Sequence, residues 1–138
     1  MTQEDKELLL KDLCGRVPYR VKCKYDDRLI VNTLSVDFFW EKIEGYERYV
    51  NCTRKYDIEN IKPYLFPLSS MNEEQKKTLK VMCDWNDEEA DAQSILVLYQ
   101  KHFVMKTDVI DWLNENHFDY RGLIEKGLAI DATGLNIY

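Results

Sequence analysis

Trp112, His117, Phe118, Asp119, Tyr120 and Arg121 stand together in one short stretch. Their types suit two kinds of chemistry. His117 can move a proton near neutral pH, and Arg121 can hold a phosphate through its planar fork of donors. Structural roles explain the same residues more simply. Asp119 reads as a helix cap, the aromatics fill the joint between two helices, and His117 sits at a helix C-terminus that favours its cation. No serine or cysteine lies nearby in sequence to serve as a nucleophile. The expectation is no catalytic residue, with Trp112, His117, Tyr120 and Arg121 kept as binding candidates.

A second candidate is basic. Arg20, Lys22 and Lys24 alternate with apolar residues and would line the outer side of a strand. Tyr46, Tyr49 and Tyr56 would add stacking surfaces for a nucleic acid or a peptide. The plain alternative is a solvated strand face whose lysines discourage edge pairing.

Other chemistries find no support. The four cysteines, Cys14, Cys23, Cys52 and Cys83, form no Cys-x-x-Cys pair, and adding His102 and His117 gives no zinc-like spacing. In a reducing compartment they read as small buried hydrophobes. The acidic run from Asp84 fails as an EF-hand, because Glu89 and Ile95 occupy the glycine and bidentate-glutamate positions. The five glycines are isolated, so no phosphate-binding loop exists. Neither metal nor cofactor is expected.

The chain has 138 residues, 45% hydrophobic and 32% charged, enough for one compact domain without disulfide staples. No apolar run approaches the roughly 20 residues that cross a bilayer. The acidic start, Met1-Thr-Gln-Glu-Asp, lacks the basic and apolar regions of a secretion signal, so a cytoplasmic setting is expected. Residues 1–67 hold 12 basic and 12 acidic residues, and residues 68–138 hold 7 and 13. The net charge of −6 therefore belongs to the second half, which should repel phosphate.

The elements follow from local pattern. Thr2 predicts the cap of a first helix that Gly15 stops and Pro18 prevents from continuing. Strict alternation from Val17 to Tyr25 predicts a half-buried strand. Asp26-Asp27 reads as a turn into a second strand over 29–36, giving a hairpin. Further strands are expected over 38–43 and 46–53. One helical turn capped by Asp57 comes next, then an extended segment to Pro67. Ser70 with Glu73, or Asn72 with Gln75, offers a capping box for a helix ending near Cys83. A longer helix runs from about Asp87 to Met105, its core face marked by Ile95, Leu98, Tyr99 and His102. Asp108 caps another helix. Asp119 caps the last, whose end at Gly127 should bring Leu123 against Leu128 in a Schellman closure. The fold class is α+β: an N-terminal helix, a small antiparallel SH3-like barrel or curled sheet of four to five strands, then a helical half. The units are 1–67 and 68–138, joined at Pro67 and packed together.

Three segments carry a likeness: Asp12-Leu-Cys-Gly-Arg-Val-Pro-Tyr, Ile58-Glu-Asn-Ile-Lys-Pro-Tyr-Leu-Phe-Pro-Leu-Ser-Ser-Met, and Asp111-Trp-Leu-Asn-Glu-Asn-His-Phe-Asp-Tyr-Arg-Gly-Leu-Ile-Glu-Lys-Gly-Leu-Ala. They cover about 40 of the 138 residues and span both halves. On them the chain resembles a family of short proteins encoded by Bacteroides-type gut bacteria and their phages and mobile elements. The resemblance implies a bacterial or phage origin and a cytoplasmic setting, and brings no activity with it.

Together these features favour a non-catalytic binding or adaptor protein with a protein partner, its helical half completing the core or a homodimer interface. The alternative is a nucleic-acid-associated accessory protein of a mobile element that uses Arg20, Lys22 and Lys24. An enzyme ranks third.

Overall fold

The computed structural model describes residues 1–25, 31–33, 58–86, 89–102 and 106–138. Helix α1 (Gln3–Arg16) opens with a capping box in which Thr2 and Asp5 satisfy each other's backbone. It does not stop at Gly15. The chain turns instead through a 3₁₀ turn, Val17–Tyr19, with Pro18 in its first residues, and then through Arg20 at a left-handed φ of 56°. Proline fixes its own φ near the helical value and suits the start of such a turn. The expected strand is therefore shorter at its front. Val17 and Tyr19 lie in the turn, and β1 spans Lys22–Tyr25.

The alternation holds where the strand exists. Val21 and Cys23 are fully buried and Tyr25 nearly so, while Lys22 and Lys24 point outward and are half-buried. Strand β2 (Val31–Thr33) pairs antiparallel with β1, Cys23 facing Asn32, as the hairpin requires. The Asp26-Asp27 turn, Tyr46, Tyr49, Tyr56, Asp57 and the strands expected over 38–43 and 46–53 lie outside the described residues. A 3₁₀ turn, Ile58–Asn60, leads into β3 (Ile61–Pro67), which pairs antiparallel with β1 so that Cys23 faces Pro63.

Two short strands come from the far end of the chain. Both β4 (Phe118–Asp119) and β5 (Ile130–Asp131) run parallel to β3, at Phe66–Pro67 and at Tyr64–Leu65. The described strands form an open mixed sheet, not a closed barrel. The second half thus supplies two strands of the sheet that the first half begins.

The helices after β3 are α2 (Glu73–Met82), α3 (Ala92–His102) and α4 (Thr107–Glu115). Of the two capping boxes, Asn72 with Gln75 is the one used, and Ser70 closes the preceding turn on the Pro67 carbonyl. Asp91 accepts from the Ser94 amide at the start of α3. The buried face of α3 is Ala92, Ile95, Leu96 and Tyr99, with Leu98 39% exposed. Both this set and the expected one fit the i, i+3, i+4, i+7 rule. Small Ala92, easily overlooked as a core residue, decides between them. Asp108 is not the cap of α4. Lys106 holds that position without a side-chain bond, and Asp108 accepts from the next amide, Val109.

After β4, residues 120–127 form bends and a turn over 123–127 instead of a last helix, but the closure expected there is present. Leu128 N donates to Leu123 O at 2.9 Å and Gly127 N to Ile124 O at 3.0 Å, with Gly127 at φ 71°. That is the Schellman pattern on a single turn.

Two apolar clusters result. Leu9 and Leu13 of α1 pack with Val21, Cys23, Tyr25, Ile61, Leu65, Leu123 and Leu128 on one side of the sheet. The second joins α2, α3 and α4 through Leu79, Ile95, Tyr99, Val109, Leu113 and Phe118. Trp112 and Phe118 belong to the second and Leu123 to the first, so the three do not share one cluster. Cys23 and Cys83 are buried, whereas Cys14 is exposed on α1. No described helix is long and apolar enough to cross a membrane.

Val21→Asp should lose roughly 3 kcal/mol or more, because a carboxylate would enter the first cluster without a partner. Urea unfolding of the variant checks this; a midpoint equal to the parent's would contradict the burial of Val21 at the entry to β1.

Candidate functional site

The segment His117–Arg121 is placed by the end of α4. Asn116 closes the helix, His117 takes a left-handed φ of 60°, and its carbonyl accepts from Phe66 N at 2.8 Å, starting β4. Alternation then sends neighbouring side chains to different neighbourhoods.

Tyr120 and Arg121 join a buried polar network with Asp12 and Arg16 of α1, Asn114 of α4 and the Phe118 carbonyl of β4. Arg16 and Asp12 are fully buried, one helical turn apart, with Arg16 Nε donating to Asp12 Oδ2 at 2.7 Å. Arg16 Nη2 donates to the Phe118 carbonyl at 2.6 Å. Arg121 Nε lies 3.3 Å from Asp12 Oδ1. Two cations lie over the Tyr120 ring, Arg16 Cζ at 5.2 Å and Arg121 Cζ at 4.9 Å from its centroid. Its hydroxyl donates to Asn114 Oδ1 at 3.0 Å, and Asn114 Nδ2 reaches the Gly15 carbonyl at 3.4 Å. Asp119 accepts from the amides of Leu123 (2.9 Å) and Ile124 (2.8 Å), a capping role as expected, on a turn instead of a helix.

His117 turns the other way, onto the outer face of the sheet. Its ring stacks on Tyr138, centroids 3.7 Å apart and planes 15° from parallel. Burial, with Arg16 and Lys22 nearby, lowers its pKa to about 4. It is a neutral ring in an aromatic stack, not the helix-end cation expected. Lys22 Nζ donates to the Ile137 carbonyl at 2.5 Å and lies 5.8 Å from the Tyr138 centroid. Burial raises the pKa of the Tyr138 hydroxyl above its usual range.

The seven expected binding residues therefore divide. Tyr120 and Arg121 meet in the network. His117 and Lys22 meet at Tyr138, and Lys24 extends the same sheet face. Trp112 stands apart, its ring 5.8 Å from Phe118. Arg20 is exposed at the left-handed turn before β1 and is not part of the strand. Sequence reasoning missed Asp12, Arg16, Asn114, Lys62 and Tyr138. The first two carried a signal, opposite charges four apart on the apolar side of a helix.

Across the register Lys24 faces Lys62, which sets two cations side by side on the outer face beyond Lys22. Separately, a cleft of about 490 Å³ lies beyond the ends of β3 and β4, lined by Leu68, Lys76, Asp91, Gln93 and Glu125 among others. Among the described residues no group of three His, Cys, Asp or Glu could hold a metal ion. No family model, curated protein or solved structure matches the chain.

Asp12→Ala should cost about 3–5 kcal/mol, since it leaves Arg16 buried without its counter-ion. Asp12→Leu combined with Arg16→Met should cost less than Asp12→Ala alone. Chemical denaturation of the set checks both statements.

The His117 shift fixes a sign. The unfolded chain takes up a proton near pH 6.5, and the folded protein resists until about 4. Stability from this group is thus present above the unfolded value and lost as pH falls toward about 4. The His117 ring protons should titrate with a midpoint near 4 by NMR, and His117→Gln should flatten the fall in melting temperature between pH 6.5 and 4. A midpoint at the ordinary value would contradict the buried stack.

Proposed function

We propose that this is a non-catalytic binding protein that takes an acidic segment of a partner polypeptide on the outer face of its sheet. The observation that carries this reading is the direct opposition of Lys24 and Lys62, with Lys22 beside them on β1. Like charges facing each other across a ladder destabilise it, and an anionic ligand relieves the repulsion. The polar residues with most chemical promise, Asp12, Arg16, Tyr120 and Arg121, are engaged in joining α1 to the chain after α4. A setting in bacteria or their phages goes with this reading, supported by the three segments that resemble that family.

A second reading, single-stranded nucleic acid, is favoured by one feature. Tyr138 is 41% exposed as a residue and stands beside Lys22, and an aromatic side chain next to a cation suits base stacking. The acidic second half opposes a nucleic acid and an acidic peptide alike, so net charge does not separate the two readings.

Fluorescence anisotropy separates the two. A labelled peptide rich in Asp and Glu should bind the parent protein, weaken with added salt, and lose about tenfold or more in affinity in Lys24→Glu with Lys62→Glu. Labelled oligothymidylate should bind more weakly than the peptide. Peptide affinity unchanged by the double reversal would remove the sheet face from the mechanism.

A further inference from the structure

The chain after β5 is tied back to the sheet by its far end. Thr133, Gly134, Leu135 and Asn136 are exposed, and Gly134 (φ 76°) and Asn136 (φ 56°) are left-handed. Two bonds from backbone amides shape the turn locally, Thr133 N to the Asp131 side chain at Oδ1 and Leu135 N to Ala132 O. Beyond them the segment's described polar and ring contacts with the sheet and its surroundings run through the Ile137 carbonyl and the Tyr138 side chain. A strap held this way opens at low cost compared with unfolding the sheet.

The seat of Tyr138 is selective in its chemistry. His117 forms a stacking wall, and Phe66 packs at 5.8 Å with planes 50° apart. The hydroxyl accepts from Lys22 N at 2.9 Å and donates to Tyr64 O at 2.8 Å. In the antiparallel register Cys23 faces Pro63, so Lys22 and Tyr64 are the next facing positions. The phenol oxygen therefore stands between an amide and a carbonyl of adjacent strands, in place of their direct bond. A plain phenyl ring would fill the walls and leave both backbone groups unmet. Lys22 Nζ adds a donor for the main-chain carbonyl one residue before the ring.

We propose that this seat is a tyrosine-recognition site, occupied in cis by Tyr138 and taken in trans by a tyrosine of a partner polypeptide when the 133–138 strap lifts. The inference rests on the sheet face being a polypeptide-binding surface and names one side chain of that partner. Cis occupancy lowers the apparent affinity for the partner, because the strap competes at high effective concentration.

The test uses the full chain carrying Tyr138→Ala and the tripeptides Asn-Ile-Tyr, Asn-Ile-Phe and Asn-Ile-Ala, blocked at both ends so that no terminal charge contributes. Binding is followed by NMR at the His117 ring and the Lys22 amide. Asn-Ile-Tyr should saturate the variant and shift both signals. It should bind the parent protein more weakly, and Asn-Ile-Phe should bind the variant about tenfold or more weakly than Asn-Ile-Tyr. A folded variant that ignores Asn-Ile-Tyr, or that takes the phenylalanine peptide equally well, overturns the proposal. If Tyr138→Ala does not fold, Tyr138→Phe keeps the ring packing and is titrated instead; Asn-Ile-Tyr must bind it more tightly than the parent. The blocked tripeptides carry no acidic group, so their binding is independent of Lys24 and Lys62. Loss of acidic-peptide binding with retained Asn-Ile-Tyr binding therefore removes the charge reading alone.

Discussion

Arg16 is the group on which the rest of the architecture depends. A guanidinium with no exposed surface is costly to bury unless most of its donors find partners, and among the described residues Nε and Nη2 are bonded while Nη1 is not. Arg16 finds Asp12 one turn earlier and the Phe118 carbonyl 102 residues later. The second bond fixes where β4 lies relative to α1, and β4 in turn fixes the end of α4. Around it Tyr120, Arg121 and Asn114 add further polar links to the same helix. An apolar contact of similar size would stabilise the joint without dictating its geometry, whereas a fork of directed donors admits few arrangements.

The two apolar clusters become intelligible from that joint. The first lies between α1 and the inner sheet face, the second among the three later helices. Phe118 and Leu123, five residues apart, enter different clusters because β4 and the turn after it pass from one to the other. Asp119 at the crossing satisfies two amides that the turn would otherwise leave open. The outer sheet face, by contrast, is basic and aromatic, with the Tyr138 strap laid over part of it.

Much of the local structure was legible in the sequence. Alternation in Val21–Tyr25 gave the strand faces, Thr2 gave the first cap, and Gly127 with Leu123 and Leu128 gave the Schellman closure. These signals are short-range, set by backbone sterics and side-chain period. What escaped was long-range. Nothing in Phe118–Asp119 or Ile130–Asp131 distinguishes a two-residue parallel strand from a turn, because the pairing partner is more than 50 residues away. The same holds for the site. His117, Tyr120 and Arg121 were visible as chemistry, but Tyr138 and Lys62 acquire meaning only once β3 sits beside β1. Ala92 escaped for another reason: a small side chain tips the choice of a helix face without standing out as apolar.

The parallel pairing of β3 with β4 and β5 also sets the order in which the molecule can be assembled on the ribosome. Residues 61–67 emerge well before their partners at 118–119 and 130–131. Until residue 131 is available, backbone groups of β3 that later join β4 and β5 lack those partners, and such an edge invites pairing with another chain. Contacts of this sequence separation also slow folding, since a long loop must close before they form. The nascent chain therefore passes through a vulnerable interval that ends only when the C-terminal strands arrive. Over that interval Pro63 and Pro67 serve a purpose apart from the native sheet: proline offers no amide to a foreign strand.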